Sequence, residues 1–163
     1  DLIREILRGY NQYLNKTNIT IEENIYPHTI HLSYEMAKQQ CTIMENSIIN
    51  IIERQKRKKI PTIINGVHII PEILYEKMTC LNTIFINLYF SSENSLWDRL
   101  KIRTEKKYTK KSASFIYNTN LDLQKSIQNL VNNGAENIYS IDISKQSINE
   151  TLSSIDSILC DFL

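Results

Sequence analysis

A short run in the middle of the chain, Thr83 to Phe90, constrains the fold more than any other feature of the sequence. It is too short for a typical helix, and its β-branched and aromatic residues are typical of a strand. Two further runs predict strands. Ile60 to Ile64 is apolar and followed by Asn65-Gly66, which predicts a buried strand and then a turn, and Ile138 to Ile143 alternates apolar with polar residues.

The remainder of the chain has mainly helical spacing of its apolar residues. We predict six helices: Leu2 to Tyr13, about Thr29 to Lys58, Pro71 to about Met78, Glu93 to about Lys106, Phe115 to Asn132, and Ser147 to Phe162. Pro71 suits the first position of its helix, and Asn133-Gly134 suits the end of the fifth helix. The cations from Arg54 to Lys59 suit the negative pole at the end of the second helix.

The three strands alternate with helices along the sequence, which predicts an α/β fold: a parallel sheet with helices on both faces. Ligands of such sheets bind beyond the carboxyl ends of the strands. Here those ends are followed by the turns Asn65 to Pro71, Phe90 to Ser92 and Asp142 to Ser144. A chain of 163 residues fits a single domain, residues 1–163.

The charge balance and the cysteines narrow the class of protein. The net charge is +1, so there is no basic excess to indicate a nucleic acid or an acidic membrane as partner. Cys41, Cys80 and Cys160 are far apart, which favours reduced thiols and a cytoplasmic protein over disulfides or a zinc site. No uncharged stretch approaches the roughly 18 apolar residues that a membrane span needs.

Asn65, Gly66 and His68 are the first candidate site residues, because they follow a predicted strand at the ligand-binding edge. Glycine permits close approach of the backbone, and His68 could bind a phosphate or move a proton. Asn65 occupies a place where phosphoryl-transfer enzymes commonly have a Mg²⁺-binding carboxylate. The alternatives are an ordinary Asn-Gly turn and a buried histidine with a structural role. His28 and His31 lie in a polar connection with no Asp or Cys at ligand spacing, so we do not predict a metal site there.

Arg99 and Arg103 are the second candidate, since residues four apart lie on one helix face. With the lysines after them, they could close over a phosphate chain, because guanidinium groups match phosphate oxygens. The alternative is a solvated helix face, and the same choice applies to Arg4 and Arg8. The sequence contains no Gly-x-x-x-x-Gly-Lys-Ser/Thr and no Gly-x-Gly-x-x-Gly motif, so these residues lack a phosphate-cradling loop.

In order and spacing, four segments resemble the 2-phosphoglycerate kinase family and its plant low-phytic-acid relatives, which are P-loop kinases. Asp1 to Arg8 is similar to the family's "D-x-I-R-E-x-x-R" segment, and Ile63 to Pro71 is similar to its strand ending in Glu-Gly-Val-His. Thr83 to Phe90 with the Arg99-x-x-x-Arg103 pair resembles the next strand and the lid helix, and Ile138 to Ile143 fits the last strand.

The resemblance implies a three-layer P-loop NTPase-like fold that moves the γ-phosphoryl group of ATP, with Mg²⁺, to a hydroxyl of a small phosphorylated acid or polyol. It implies that the first strand and the P-loop would precede Asp1, which makes this the carboxyl-terminal part of a kinase domain. Asp1, Arg99 and Arg103 would be catalytic, Arg4, Arg8, Gly66 and His68 would bind substrate, and Asn65 would stand at a degenerate Mg²⁺ position.

Three functions therefore stand as expectations. The first is an ATP-dependent small-molecule kinase domain, inactive as this fragment. The second is a non-catalytic descendant that binds a phosphorylated ligand or a protein, which Asn65 and the missing loop favour. The third is a nucleic-acid end kinase, which the basic lid favours and the charge balance opposes. No membrane partner is expected.

Overall fold

The computed structural model describes residues 32–102 and 108–162. The chain forms two compact units, Asp1–Asn82 and Thr83–Leu163, and each is described by itself below. The expectation of one domain stays a prediction. The predicted helix Leu2 to Tyr13 and the site residues Asp1, Arg4, Arg8 and Arg103 lie outside the described residues.

The first unit is built on a long helix, α1 (Tyr34–Lys58), as its apolar spacing predicts. Ser33 caps its start, because the Ser33 side chain accepts a hydrogen bond from the Met36 amide at 3.3 Å. The helix ends at Lys58, and the capping residue Lys59 adopts the left-handed conformation with φ 54° and donates its amide to carbonyls of the last turn.

A second helix, α2 (Pro71–Met78), packs against α1 and continues into a short 3₁₀ turn, Thr79–Leu81. Pro71 occupies the start of α2, as predicted. The buried residues of α1 recur at helical spacing, and those of α2 lie on one face: Ala37, Cys41, Met44 and Ile48 on α1, and Leu74 and Met78 on α2. Glu72 of α2 accepts hydrogen bonds from the Tyr34 hydroxyl at 2.6 Å and the Lys38 ammonium at 2.7 Å, so polar contacts also join the two helices.

The predicted strand Ile60 to Ile64 is wrong. These residues form irregular backbone, and Ile63 is 92% exposed and Ile60 49% exposed. A strand is stable only beside a partner that takes up its backbone hydrogen bonds, and Pro61 has no amide hydrogen to donate. The turn after this segment is present, with the Ile69 amide donating to the Gly66 carbonyl at 3.2 Å.

The second unit alternates strands and helices: β1 (Phe85–Tyr89), α3 (Glu93–Ile102), α4 (Lys110–Asn132), β2 (Ile138–Asp142) and α5 (Ile148–Phe162). β1 and β2 pair in parallel, with Phe85 opposite Ile138 and Tyr89 opposite Asp142. The predicted mixed α/β class and the parallel pairing are confirmed. In the described residues the sheet has two strands and the structure is mostly helical.

Helix α4 begins five residues before its predicted start, because Thr109 and Ser112 form a capping box. The Thr109 side chain accepts from the Ser112 amide at 3.1 Å, and the Ser112 hydroxyl accepts from the Thr109 amide at 2.9 Å. The predicted end is confirmed. Gly134 has φ 89° and donates its amide to Val131, so the glycine closes the helix in a conformation that other residues adopt at a cost.

The core of the second unit joins its helices to one another and to the sheet. Leu96 and Leu100 of α3 pack with Ala113 of α4, and several aromatic residues surround this cluster: Phe90, Trp97, Tyr108 and Tyr117. α4 lies against both strands, where the Gln124 side-chain oxygen accepts from Asn87 at 2.7 Å and from the Ser140 hydroxyl at 3.3 Å. α5 contacts β2. Among the described helices, none combines the length and apolar character that crossing a bilayer requires.

Candidate functional site

A polar cluster of the second unit lies where its two strands end. Because β1 and β2 are parallel, their carboxyl ends meet at one edge, with Tyr89 opposite Asp142. The Ile143 amide donates to the Tyr89 carbonyl at 2.9 Å and extends the pairing by one residue. The polar residues just beyond the strands, Ser91 and Ser144, are thereby brought together.

Asp142 ties the two strand ends to each other. Its Oδ1 atom accepts from the Ser144 amide at 2.9 Å and from the Ser91 amide at 3.3 Å. The Ser91 amide also donates to the Ser144 hydroxyl at 2.8 Å, and the two hydroxyl oxygens are 3.1 Å apart. One carboxylate therefore links segments that are 51 residues apart in the sequence.

These contacts also set the charge state of Asp142. Partial burial by itself raises the pKa of the carboxyl group, but hydrogen bonds from Ser144 and Ser91 outweigh it and lower the pKa from 3.8 to about 2. Because the ionised form accepts these hydrogen bonds better than the neutral form does, Asp142 carries its negative charge at every pH near neutrality.

We expect acid to weaken the second unit through Asp142. Its folded-state pKa lies below the unfolded value, so its contribution to stability is complete above about pH 4 and is lost as the pH falls towards 2. In Asp142→Asn, the urea concentration at the midpoint of unfolding should therefore decrease less between these two pH values than it does in the wild type. Asp156→Asn, a change at a carboxyl group on α5, should leave that fall unchanged. An equal acid dependence in Asp142→Asn and wild type would contradict the expectation.

Arg99 reaches from α3 to the loop after β2. Its Nη2 atom donates to the Ile143 carbonyl at 2.9 Å and also to the Gln146 carbonyl. The guanidinium carbon lies 5.6 Å from the centre of the Phe90 ring, which is within the range of a cation–π contact. The other guanidinium nitrogens, Nη1 and Nε, donate to no group within residues 32–102 and 108–162.

The loop after β1 is held from α3 and α4. The Ser92 side chain accepts from the Ser95 amide at 3.4 Å and marks the start of α3. Asn120 of α4 accepts from the Phe90 amide at 3.0 Å, and the Tyr117 hydroxyl donates to the Ser91 carbonyl at 2.9 Å. These contacts fix the backbone around Ser91, so the edge of the sheet is ordered by its surroundings.

The site residues predicted from the sequence lie in different units of the structure. Asn65 and Gly66 are exposed in the first unit, whereas His68 is buried there, with 2% of its surface exposed. The prediction that these residues follow a strand is wrong, because the segment before them forms none. Arg99 lies at the strand edge of the second unit. In the described parts of both units, no three His, Cys, Asp or Glu side chains are grouped to hold a metal ion.

The sequence locates this edge but does not reveal several residues that build it. The turns Phe90 to Ser92 and Asp142 to Ser144 are predicted to lie there, whereas Asp142 itself, Tyr117 and Asn120 are not predicted as site residues. Asp142 could have been recognised as a site residue from the sequence, because it lies near the end of a predicted strand and a serine follows two residues later. The partners on α4 leave no sequence signal, because they meet the edge only through packing.

The fold and the site define a mixed α/β protein with a polar edge at the ends of two parallel strands. No protein-family model, curated protein or solved structure matches the chain. Its function is therefore inferred from the residues of this edge.

Proposed function

We propose that the chain is part of an ATP-dependent kinase of small molecules, which transfers a phosphoryl group to a hydroxyl of a phosphorylated acid or polyol. In this proposal β1 and β2 belong to a larger, P-loop NTPase-like parallel sheet. The 163 residues contain no glycine-rich phosphate loop, so the nucleotide-binding loop has to come from residues outside them.

The observation that supports this proposal is the position of Arg99. Two backbone carbonyls and the Phe90 ring hold its guanidinium group beside the carboxyl ends of the strands, where α/β proteins bind their ligands. Nη1 and Nε make no hydrogen bond to the described residues, which leaves them for an anion. An arginine already held in place loses less side-chain entropy when it binds a phosphate.

Mg²⁺ would also fit this edge in its usual protein mode, which uses one or two carboxylates together with phosphate oxygens. Asp142 is ionised and would be the described residue to hold it, with the Ser91 and Ser144 hydroxyls beside it. The metal would neutralise charge on the phosphates. Arg99 would orient the same phosphates through its remaining N–H groups.

Titration calorimetry with 2-phosphoglycerate and with Mg-ATP, on a chain extended to include an upstream glycine-rich loop, tests this proposal. We expect this longer chain to bind both ligands, and Arg99→Gln to weaken the binding of at least one of them about 10- to 100-fold, as for other charge-assisted hydrogen bonds. Lys101→Gln is the matched control, since Lys101 lies on the same helix and pairs with Asp98 at 2.6 Å. Absence of Mg-ATP binding by the extended chain would refute the proposal.

A non-catalytic protein that binds a phosphorylated ligand or a protein is the second candidate. The exposed, irregular backbone at Asn65 favours it, because that residue stands at no strand end where a metal could be held. Binding of 2-phosphoglycerate without any affinity for Mg-ATP, in a chain extended to include any upstream glycine-rich loop, would indicate this function. Transfer of phosphate from ATP by the same chain would exclude it.

A further inference from the structure

The end of α1 and the segment after it are strongly basic, although the whole chain is nearly neutral. Positions 54 to 71 contain five Lys and Arg residues and no Asp or Glu, although the whole chain has a net charge of only +1. We name residues 54–67 the basic–apolar segment. Its five cations lie within the first six positions: Arg54, Lys56, Arg57, Lys58 and Lys59.

Most of these cations are exposed without a strong partner. Lys56 donates to the Cys80 carbonyl at 2.6 Å, and Arg57 is 4.0 Å from Glu53 in an exposed pair that contributes little. Arg54, Lys58 and Lys59 make no ion pair or side-chain hydrogen bond with the described residues. Favourable interaction with the negative end of α1 explains cations in the last turn, but it does not explain the exposed aliphatic residues beyond the helix end.

These aliphatic side chains lie close to the cations in the sequence. Ile63 is 92% exposed, Ile60 49% and Val67 46%. Ile51 lies three residues before Arg54 and seven before Lys58, on the same face of α1, and is 36% exposed. Aliphatic residues concentrated in this way beside unpaired cations mark a surface that contacts another molecule.

We propose that the basic–apolar segment binds the surface of an anionic lipid bilayer, with the cations at the headgroups and Ile60, Ile63 and Val67 at the acyl boundary. Clustered Lys and Arg residues attract anionic headgroups, and neighbouring aliphatic side chains add burial in the interface. Nucleic acid shares the negative charge, but single strands are bound through stacking aromatic residues, and the segment contains none. This proposal is independent of the kinase proposal.

Co-sedimentation of the 163-residue protein with vesicles tests the proposal. We expect binding to vesicles of phosphatidylcholine and phosphatidylserine in equal amounts, and much weaker binding to phosphatidylcholine alone. Lys58→Gln/Lys59→Gln should lower the partition coefficient about 30-fold, which corresponds to about 1 kcal/mol per cation. Ile63→Ser should lower it about tenfold without affecting folding, because that side chain is almost fully exposed.

Matched variants outside the segment make the result specific. Lys101→Gln/Lys125→Gln removes two exposed cations from the second unit, and Ile102→Ser changes an isoleucine that is 79% exposed there. Both should sediment with the vesicles as the wild type does. The proposal would be overturned if the control variants lost as much vesicle binding as the variants of the basic–apolar segment do, or if the wild type did not bind the anionic vesicles. Salt-sensitive binding to a single-stranded oligonucleotide without vesicle binding would also overturn it and assign the surface to nucleic acid.

Discussion

Leu74→Ala should destabilise the first unit by about 2–5 kcal/mol, the range measured for removal of a fully buried leucine side chain. Leu74 lies on α2 with none of its surface exposed, and α2 packs against α1, which carries the buried Met44. The substitution removes apolar burial and leaves a cavity between close-packed helices. Urea unfolding followed by circular dichroism would measure the change, which is large beside the usual stability of a domain.

Ile63→Ala is the matched control for this experiment, because it also shortens an aliphatic side chain of the first unit. Ile63 is 92% exposed, so we expect its replacement to change the free energy of unfolding by no more than about 0.5 kcal/mol. The pair of variants also tests the correction to the predicted fold. If Ile60 to Ile64 were a buried strand, Ile63→Ala would cost as much as Leu74→Ala, and that result would contradict the structure.

Arg99→Ala should destabilise the second unit by about 1.5–3 kcal/mol, the range for hydrogen bonds to a charged group. It removes the contacts from Nη2 to the Ile143 and Gln146 carbonyls and the packing on the Phe90 ring. We expect hydrogen exchange to accelerate in residues 143–147, whose loop loses its link to α3. Arg99→Lys should recover only part of the stability, because one ammonium group lacks the planar fork of arginine.

Lys101→Ala controls for the loss of a cation from α3. Its ion pair with Asp98 is exposed, so we expect the substitution to lower the free energy of unfolding by less than about 1 kcal/mol. Equal stabilities of Arg99→Ala and Lys101→Ala would contradict the role of Arg99 in holding the loop. Ligand titration of Arg99→Lys, at a temperature where it remains folded, separates loss of phosphate binding from loss of stability.

The helices and two of the strands are predictable from local patterns. α1 and α2 are set by apolar spacing and by end signals such as Ser33 and Pro71, all of which act within a few residues. The strands β1 and β2 are recognisable for the same reason. The predicted start of α4 is late because Lys110 and Lys111 resemble a polar connection, whereas the Thr109 capping box extends the helix through them.

The error at Ile60 to Ile64 has a different cause. Its apolar residues resemble a strand locally, but a strand also needs a neighbour for its backbone groups and a surface that covers its side chains. Neither requirement is visible in five residues. The resemblance to a kinase strand depends on the same run, so the predicted positions of Asn65 and Gly66 at a strand end fail with it.

The sequence by itself determined where the described helices form, where β1 and β2 lie, and that the turns Phe90 to Ser92 and Asp142 to Ser144 follow parallel strands, since period, caps and alternation are properties of neighbouring residues. Only the tertiary structure decided that Arg99 bonds carbonyls 44 and 47 residues away and that Asp142 joins Ser91 to Ser144. It also decided that Ile63 faces solvent. Such contacts depend on packing between distant segments, and no local pattern records them.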